Sequence, residues 1–283
     1  MSQENLLAGS HLDDLARDGF AVLRGVFSPW EIDILAQAFD RHYAEGLRLG
    51  RSFRHGNLHY RVGQDPERGP LVRMVQWPTY GDEDLGRVRI DNRLYELLSP
   101  LLGEDIKQII NQLHWKPAGA ATATFGWHQD IRFRRPRHAY RNPENSYLQT
   151  AIAIDPQGAE EGGMTFIPGS HASGEIAFDA STPVLGAKAD LKSLDSLGLD
   201  AKHAVTPRLE PGDLMIWSLF TVHGSGRNRG SGERRLYLNG YVRAEDCDRG
   251  EWAFRGGRPC QLGAPMLVHY EDLERRPEPH FTD

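Results

Sequence analysis

His128 and Asp130 stand two positions apart in Trp127-His-Gln-Asp130, and a second histidine, His223, follows far downstream in Thr221-Val-His-Gly-Ser225. Two imidazoles and one carboxylate are the donor set of the facial triad that holds non-haem Fe(II) and leaves positions open on one side of the ion. In a strand, residues i and i+2 share a face. His128 and Asp130 are therefore expected to converge from one strand, with Gln129 turned off the ion and kept as a candidate substrate contact. A bare His-x-Asp also reads as a turn histidine beside a solvated aspartate. Order, spacing and flanks together favour the metal. Arg234, eleven residues beyond His223, supplies a guanidinium fork that matches a carboxylate with two parallel charge-assisted hydrogen bonds. It is the candidate anchor for a dicarboxylate co-substrate, and Arg235 beside it should point the other way. Ser225 either adds a hydroxyl to that anchor or forms a turn before Gly226.

The elements that must carry these residues are mostly short strands. Runs at 106–115, 122–128, 147–155, 164–167, 203–208, 213–218 and 234–243 are punctuated by Pro117-Ala-Gly119, Pro156-Gln-Gly158, Pro168-Gly169 and Pro211-Gly212. Many short strands with Gly/Pro turns predict a sandwich or jelly roll. If 234–243 returns antiparallel to the strand that ends at His223, both residues face its interior. On the strand through Asn111-Gln-Leu-His-Trp-Lys116, Gln112 and His114 share one face. Before the strands, His11–Asp18 reads as a helix and Phe20–Val26 as a strand. A helix capped by Ser28, with Pro29 at N1 and Glu31 at N3, should run to about Ala44. Asp91–Ser99 reads as a helix stopped by Pro100, and 46–84 as polar and irregular. Residues 172–202 form a long insertion, either a lid or a surface excursion.

The chain has 283 residues, a net charge of −6 and a pI near 6.1. That balance argues against a nucleic-acid partner. The two cysteines, Cys247 and Cys260, make no disulfide framework and read as reduced thiols of a cytoplasmic protein. No apolar run approaches the ~20 residues of a membrane span, and the N-terminus lacks a secretory pattern. The halves of the metal motif lie too far apart for separate domains, so one domain over 1–283 is expected. Its core strands would occupy about 106–243, with helices and loops of 1–105 packed outside. A monomer or homodimer is expected.

Four segments carry a resemblance to the phytanoyl-CoA dioxygenase family of iron(II)/2-oxoglutarate oxygenases. They are Asp18-Gly-Phe-Ala-Val-Leu-Arg-Gly-Val26 with Ser28-Pro-Trp-Glu-Ile-Asp33; Trp127-His-Gln-Asp130; Glu161-Gly-Gly-Met-Thr-Phe-Ile-Pro-Gly-Ser-His171; and Pro211-Gly-Asp-Leu with His223-Gly-Ser, Asn228 and Arg234. The resemblance spans about 12–243. It implies a mainly β chain with flanking helices, folded as a double-stranded β-helix. It implies Fe(II) on His128, Asp130 and His223, 2-oxoglutarate with its 5-carboxylate on Arg234, O2 as oxidant, and succinate and CO2 as co-products. Gln112 and, more weakly, Thr150 become candidates for contacting the co-substrate. His114 is a candidate at the substrate end. So is Arg132, in the basic loop after Asp130, which would grip an anionic substrate or be plain solvated surface. Tyr60 is a candidate from the N-terminal loops with which the family walls its substrates. Related halogenases lack the carboxylate ligand, so Asp130 points to oxidation, most simply hydroxylation, of a small polar metabolite such as a glycosylated natural product. Two other classes fit parts of the pattern. A cupin-like metalloprotein without 2-oxoglutarate has no need of Arg234, and a jelly-roll sugar-binding module would bind no Fe(II) tightly.

Overall fold

A computed structural model describes residues 9–178, 184–187, 192–195, 197–265 and 277–282. Four helices of at least two turns lie among them: α1 (Gly9–Asp18), α2 (Pro29–Leu49), α3 (Glu83–Arg89) and α4 (Asn92–Leu102). The strands are β1 (Phe20–Leu23), β2 (Phe53–His55), β3 (Leu58–Asp65), β4 (Gly69–Gln76), β5 (Ile106–Lys116), β6 (Phe125–His128), β7 (Tyr147–Ala153), β8 (Met164–Phe166), β9 (Leu214–Ser218), β10 (His223–Ser225), β11 (Arg234–Arg243), β12 (Glu251–Arg255), β13 (Arg258–Pro259) and β14 (His280–Phe281). The larger sheet runs β1-β9-β7-β11-β5-β4-β3-β2-β14, with β12 beside β5 and β13 beside β12, and the smaller runs β6-β10-β8. All pairings are antiparallel. This is the double-stranded β-helix, with helices on the outer face of the larger sheet.

Period-2 alternation divides the larger sheet. One face of β5, β7, β9 and β11 gives Leu113, Ile152, Ile216, Tyr237 and Tyr241 to a core shared with Leu35 and Phe39 of α2 and Leu94 and Leu98 of α4. The opposite face gives Ala151, Ala153, Met215, Trp217 and Leu236 to a second core with Phe20, Met164 and Phe166. Each buried Leu, Ile or Phe here contributes about 1.5–3 kcal/mol. The α2 cap is the reciprocal box the sequence predicts: Ser28 Oγ accepts from Glu31 N, and Ser28 N donates to Glu31 Oε2 at 2.8 Å.

Several predicted boundaries move. α2 continues to Leu49, where Gly50 ends it at a φ of 68°. α4 runs through Pro100 to buried Leu102, so the proline removes one intrahelical donor in the last turn without ending the helix. Residues 203–208 form no strand; Val205 makes only an isolated bridge to Phe166. The largest difference is 46–84, which holds β2, β3, β4 and the start of α3 rather than irregular chain. In β3 and β4, Tyr60, Val72 and Val75 turn into the helix-side core. Arg61, Met74 and Gln76 turn into a cavity. Polar residues on the cavity face hide the strand pattern.

Candidate active site

The cavity lies between the two sheets and measures about 450 Å³, a size suited to a small molecule. His128, Asp130 and His223 line it, all buried, with one donor atom from each lying within 4.8 Å of the others. His128 Nε2 and Asp130 Oδ1 are 3.8 Å apart, as are His223 Nε2 and Asp130 Oδ2. The histidines come from paired strands, since His223 on β10 faces His128 on β6. Asp130 does not lie on the strand with His128. It opens a short 3-10 turn, Asp130–Phe133, and the turn rather than strand alternation returns its carboxylate to the histidines.

The surroundings set each donor. His128 Nδ1 lies 2.8 Å from the Gly126 carbonyl and His223 Nδ1 lies 2.9 Å from that of Thr221. Donation to these carbonyls fixes the tautomer and turns each Nε2 lone pair toward the shared centre. Burial pushes His128 down to about 3, with His223 adding to the effect, so the ring stays neutral and able to ligate. Burial opposes ionisation of Asp130, but His223, His128, Arg134 and the Trp217 hydrogen bond hold its carboxyl below the ordinary value. Asp130 Oδ2 accepts from Gln149 Nε2 at 3.1 Å and from Trp217 Nε1 at 2.9 Å. Two imidazoles with oriented Nε2 atoms and one oriented carboxylate fit Fe(II).

Arg234 enters the cavity from β11 and is 2% exposed. Its Nε donates to Gln157 Oε1 at 2.9 Å, while Nη2 is buried with no hydrogen-bond partner. Burial lowers it to about 10, still charged at neutral pH. A buried guanidinium with an unsatisfied donor fits the distal carboxylate of 2-oxoglutarate. β11 is not the return strand of β10; it lies in the larger sheet between β5 and β7. Arg234 therefore reaches the cavity from the sheet across from His223. Arg235 points away and pairs with Asp155 and Asp40. Ser225 lines the cavity and its Oγ accepts from Lys116 Nζ at 2.7 Å. Gln112 and His114 line it too, joined by a 2.9 Å contact between Oε1 and Nε2.

Four other candidates sit elsewhere. Thr150 is buried with its hydroxyl donating to the Asn239 carbonyl, and Gln149, one position earlier, takes the cavity face. Tyr60 is in the core, bonded to His42 Nδ1 at 2.8 Å, and Arg61 beside it lines the cavity. Gln129 turns from the ion and from the cavity alike. Its amide donates to Gly174 and Phe220 carbonyls and accepts from Ile176 N. Arg132 lies over the Phe133 ring, outside the lining, whereas Phe133 and Arg134 line it. The first two errors are single-residue slips of strand phase, which invert the face. Gln149, Trp217, Gln157 and Lys116 carried no sequence signal of their roles, because each acts through a partner distant in the chain. From the insertion, Val184 and Leu185 line the cavity and pair with β6; residues 179–183, 188–191 and 196 lie outside the described residues.

The family model for phytanoyl-CoA dioxygenase matches residues 15–236. The chain belongs to the phytanoyl-CoA dioxygenase family. It is similar to a protein named as an alpha-ketoglutarate-dependent hypophosphite dioxygenase from Stutzerimonas stutzeri, with 27% identity over 63% of this chain and 60% of the relative. It is 24% identical to the ectoine dioxygenase of Sphingopyxis alaskensis over 75% of this chain and 68% of that one. The match to the hypophosphite enzyme thus spans less than two thirds of that protein. Among solved structures, the fold is similar to EctD from S. alaskensis with bound Fe, at 20% identity and a TM-score of 0.65 over 93% of this chain and 89% of that one. It is also similar to the epimerase SnoN in complex with Fe3+, alpha ketoglutarate and nogalamycin RO, at 22% identity and a TM-score of 0.59 over 92% and 95%.

Proposed function

We propose that this dioxygenase hydroxylates a C–H bond of a small polar metabolite, using Fe(II), 2-oxoglutarate and O2. One substrate hydrogen is replaced by hydroxyl as 2-oxoglutarate becomes succinate and CO2. The observation that carries the reading is the placement, in one cavity, of three converging ligands and an opposing buried arginine with an unsatisfied donor. His128, Asp130 and His223 would hold the iron, which when bound supplies the oxidising chemistry. Gln149 and Trp217 hold the carboxylate ligand by Oδ2. Arg234 would take the 5-carboxylate, with Ser225, itself held by Lys116, within the same end of the cavity. The presence of Asp130 supports oxidation over halogenation, since the position holds a carboxylate rather than a small side chain.

A polar substrate is supported by Gln76, Gln112, His114 and Arg134 in the walls beside Met74, Ile110 and Leu238. Glycosylated natural products and amino-acid derivatives are the first compounds to test. We place the enzyme in the cytoplasm as one domain; Cys247 and Cys260 are both free thiols, and no described helix is long and apolar enough to cross a membrane. The test is a screen of such metabolites for Fe(II)-dependent succinate release with a product heavier by one oxygen atom. Turnover that persists without 2-oxoglutarate would favour the cupin-like alternative and sink this one.

A further inference from the structure

Arg134 is 5% exposed and lines the cavity, yet its Nε and Nη2 have no hydrogen-bond partner. It makes no salt bridge with a described residue, unlike its neighbours on the same loop: Arg135 and Arg137 approach Glu175, and Arg141 pairs with Asp248. The nearby carboxylate, Asp130, is already engaged by Gln149 and Trp217 and faces both ligand histidines. A buried, unpaired guanidinium is costly, because its desolvation is repaid only by an anion or by hydrogen bonds. The loop gives Nε and Nη2 no hydrogen bond, and the charge reaches Asp130 only beyond salt-bridge distance.

Its position separates it from Arg234. Gly240 of β11 pairs with Gln149 and Ile110, which places the Asp130 end of the cavity there, whereas Arg234 pairs with Lys116. Ile110 and Lys116 are six residues apart along β5, so Arg234 and the Gln149 that holds Asp130 stand at different positions along the sheet. Arg134 follows Asp130 by four residues and stands at the metal end. Arg61, exposed, and Phe133, 48% exposed, line the cavity as well.

We propose that Arg134 binds an oxyanionic group of the primary substrate, a carboxylate or a phosphorus oxyanion, and so holds the neighbouring C–H bond toward the three ligands. The assignment rests on the oxygenase reading and names the substrate class for it. A guanidinium fork suits either anion through paired N–H donors. Arg61 would add charge at the cavity wall.

The test uses full-length protein loaded anaerobically with Fe(II) and saturating 2-oxoglutarate. Propionate, methylphosphonate and phosphite are titrated against their neutral counterparts propionamide and dimethyl methylphosphonate, by calorimetry and by the shift of the iron–2-oxoglutarate absorption band. At least one anion should bind saturably without displacing 2-oxoglutarate, and the preferred one tells carboxylate from phosphorus oxyanion. R134Q should weaken that binding about 30-fold or more, with 2-oxoglutarate affinity unchanged. R134K should recover part of it. R134M should leave Tm equal or raised, whereas an arginine kept for structure would lower it. No saturable binding by any of the three anions, equal binding by R134Q, equal binding of the neutral counterparts, or competition with 2-oxoglutarate would each overturn the proposal. Failure to bind Fe(II) and 2-oxoglutarate at all would strike the oxygenase reading itself, and the loading step reports that separately.

Discussion

Arg234 and Arg235 are sequence neighbours with opposite surroundings. Arg234 has an unsatisfied donor in the cavity, while Arg235 is tied to Asp155 and Asp40 on the other face of the sheet. R234A should raise the KM for 2-oxoglutarate roughly 30-fold to several thousandfold, the range expected for losing a buried charged pair, with Fe(II) affinity nearly unchanged. R235A should lower Tm and leave that KM alone. Equal KM values for the two variants would remove the co-substrate role from Arg234. Asp130 decides more. It is the only carboxylate among the three clustered donors, so D130A should abolish succinate release at matched iron loading. D130E should keep more metal but misplace the oxygen, and small misplacements at a reacting centre cost about 10²-fold. Native turnover by D130A would show that Asp130 is no ligand.

β7 and β11 bring Asp130 its orienting group. Gly240 lies opposite Gln149, and a Cβ at Gly240 would run into Gln149 Oε1 and the Ile110 side chain. The missing side chain is what lets Gln149 extend to Asp130. G240A should therefore weaken iron binding or turnover without touching a ligand. W217F removes the second donor to Oδ2 and should act in the same direction. Loss of such outer partners typically costs about 10–100-fold in metal affinity or activity. Iron titration and kcat on both variants, with Tm as the check on folding, measure this; unchanged values would mean that the 3-10 turn alone orients Asp130.

Across the whole molecule, burial keeps several histidines neutral. Desolvation is the leading cause that takes His42 and His59 to about 4 and His114 to about 3, against about 6.5 for an exposed imidazole. Below about pH 6.5 the unfolded chain takes up protons that these folded rings refuse. The unfolded state thus binds more protons between about pH 6.5 and 4, and stability must fall as pH is lowered through that window. With three rings the proton difference near pH 5 approaches roughly three. The Tm of the metal-free protein should drop clearly from pH 7 to 5. A flat profile would mean that these rings are solvated.

What the sequence determined by itself was chemistry of fixed type and order: His128, Asp130 and His223 as one candidate donor set, Arg234 apart from Arg235, and strands and turns enough for a jelly roll. Those features are local, carried by residue type, period-2 alternation and Gly/Pro punctuation. The tertiary structure decided whatever depends on phase or on distant partners. A one-residue shift of phase gave the cavity Gln149 rather than Thr150 and Arg61 rather than Tyr60. A 3-10 turn, not a strand, aimed Asp130. The strands of 53–76 escaped notice because their inward face is walled with polar groups, so the usual apolar alternation is missing from a surface that lines a site. Arg134 shares the basic loop of Arg132, and only packing buried its Nε and Nη2 without a hydrogen-bond partner. Burial and pairing are properties of the assembled sheets, and no single segment encodes them.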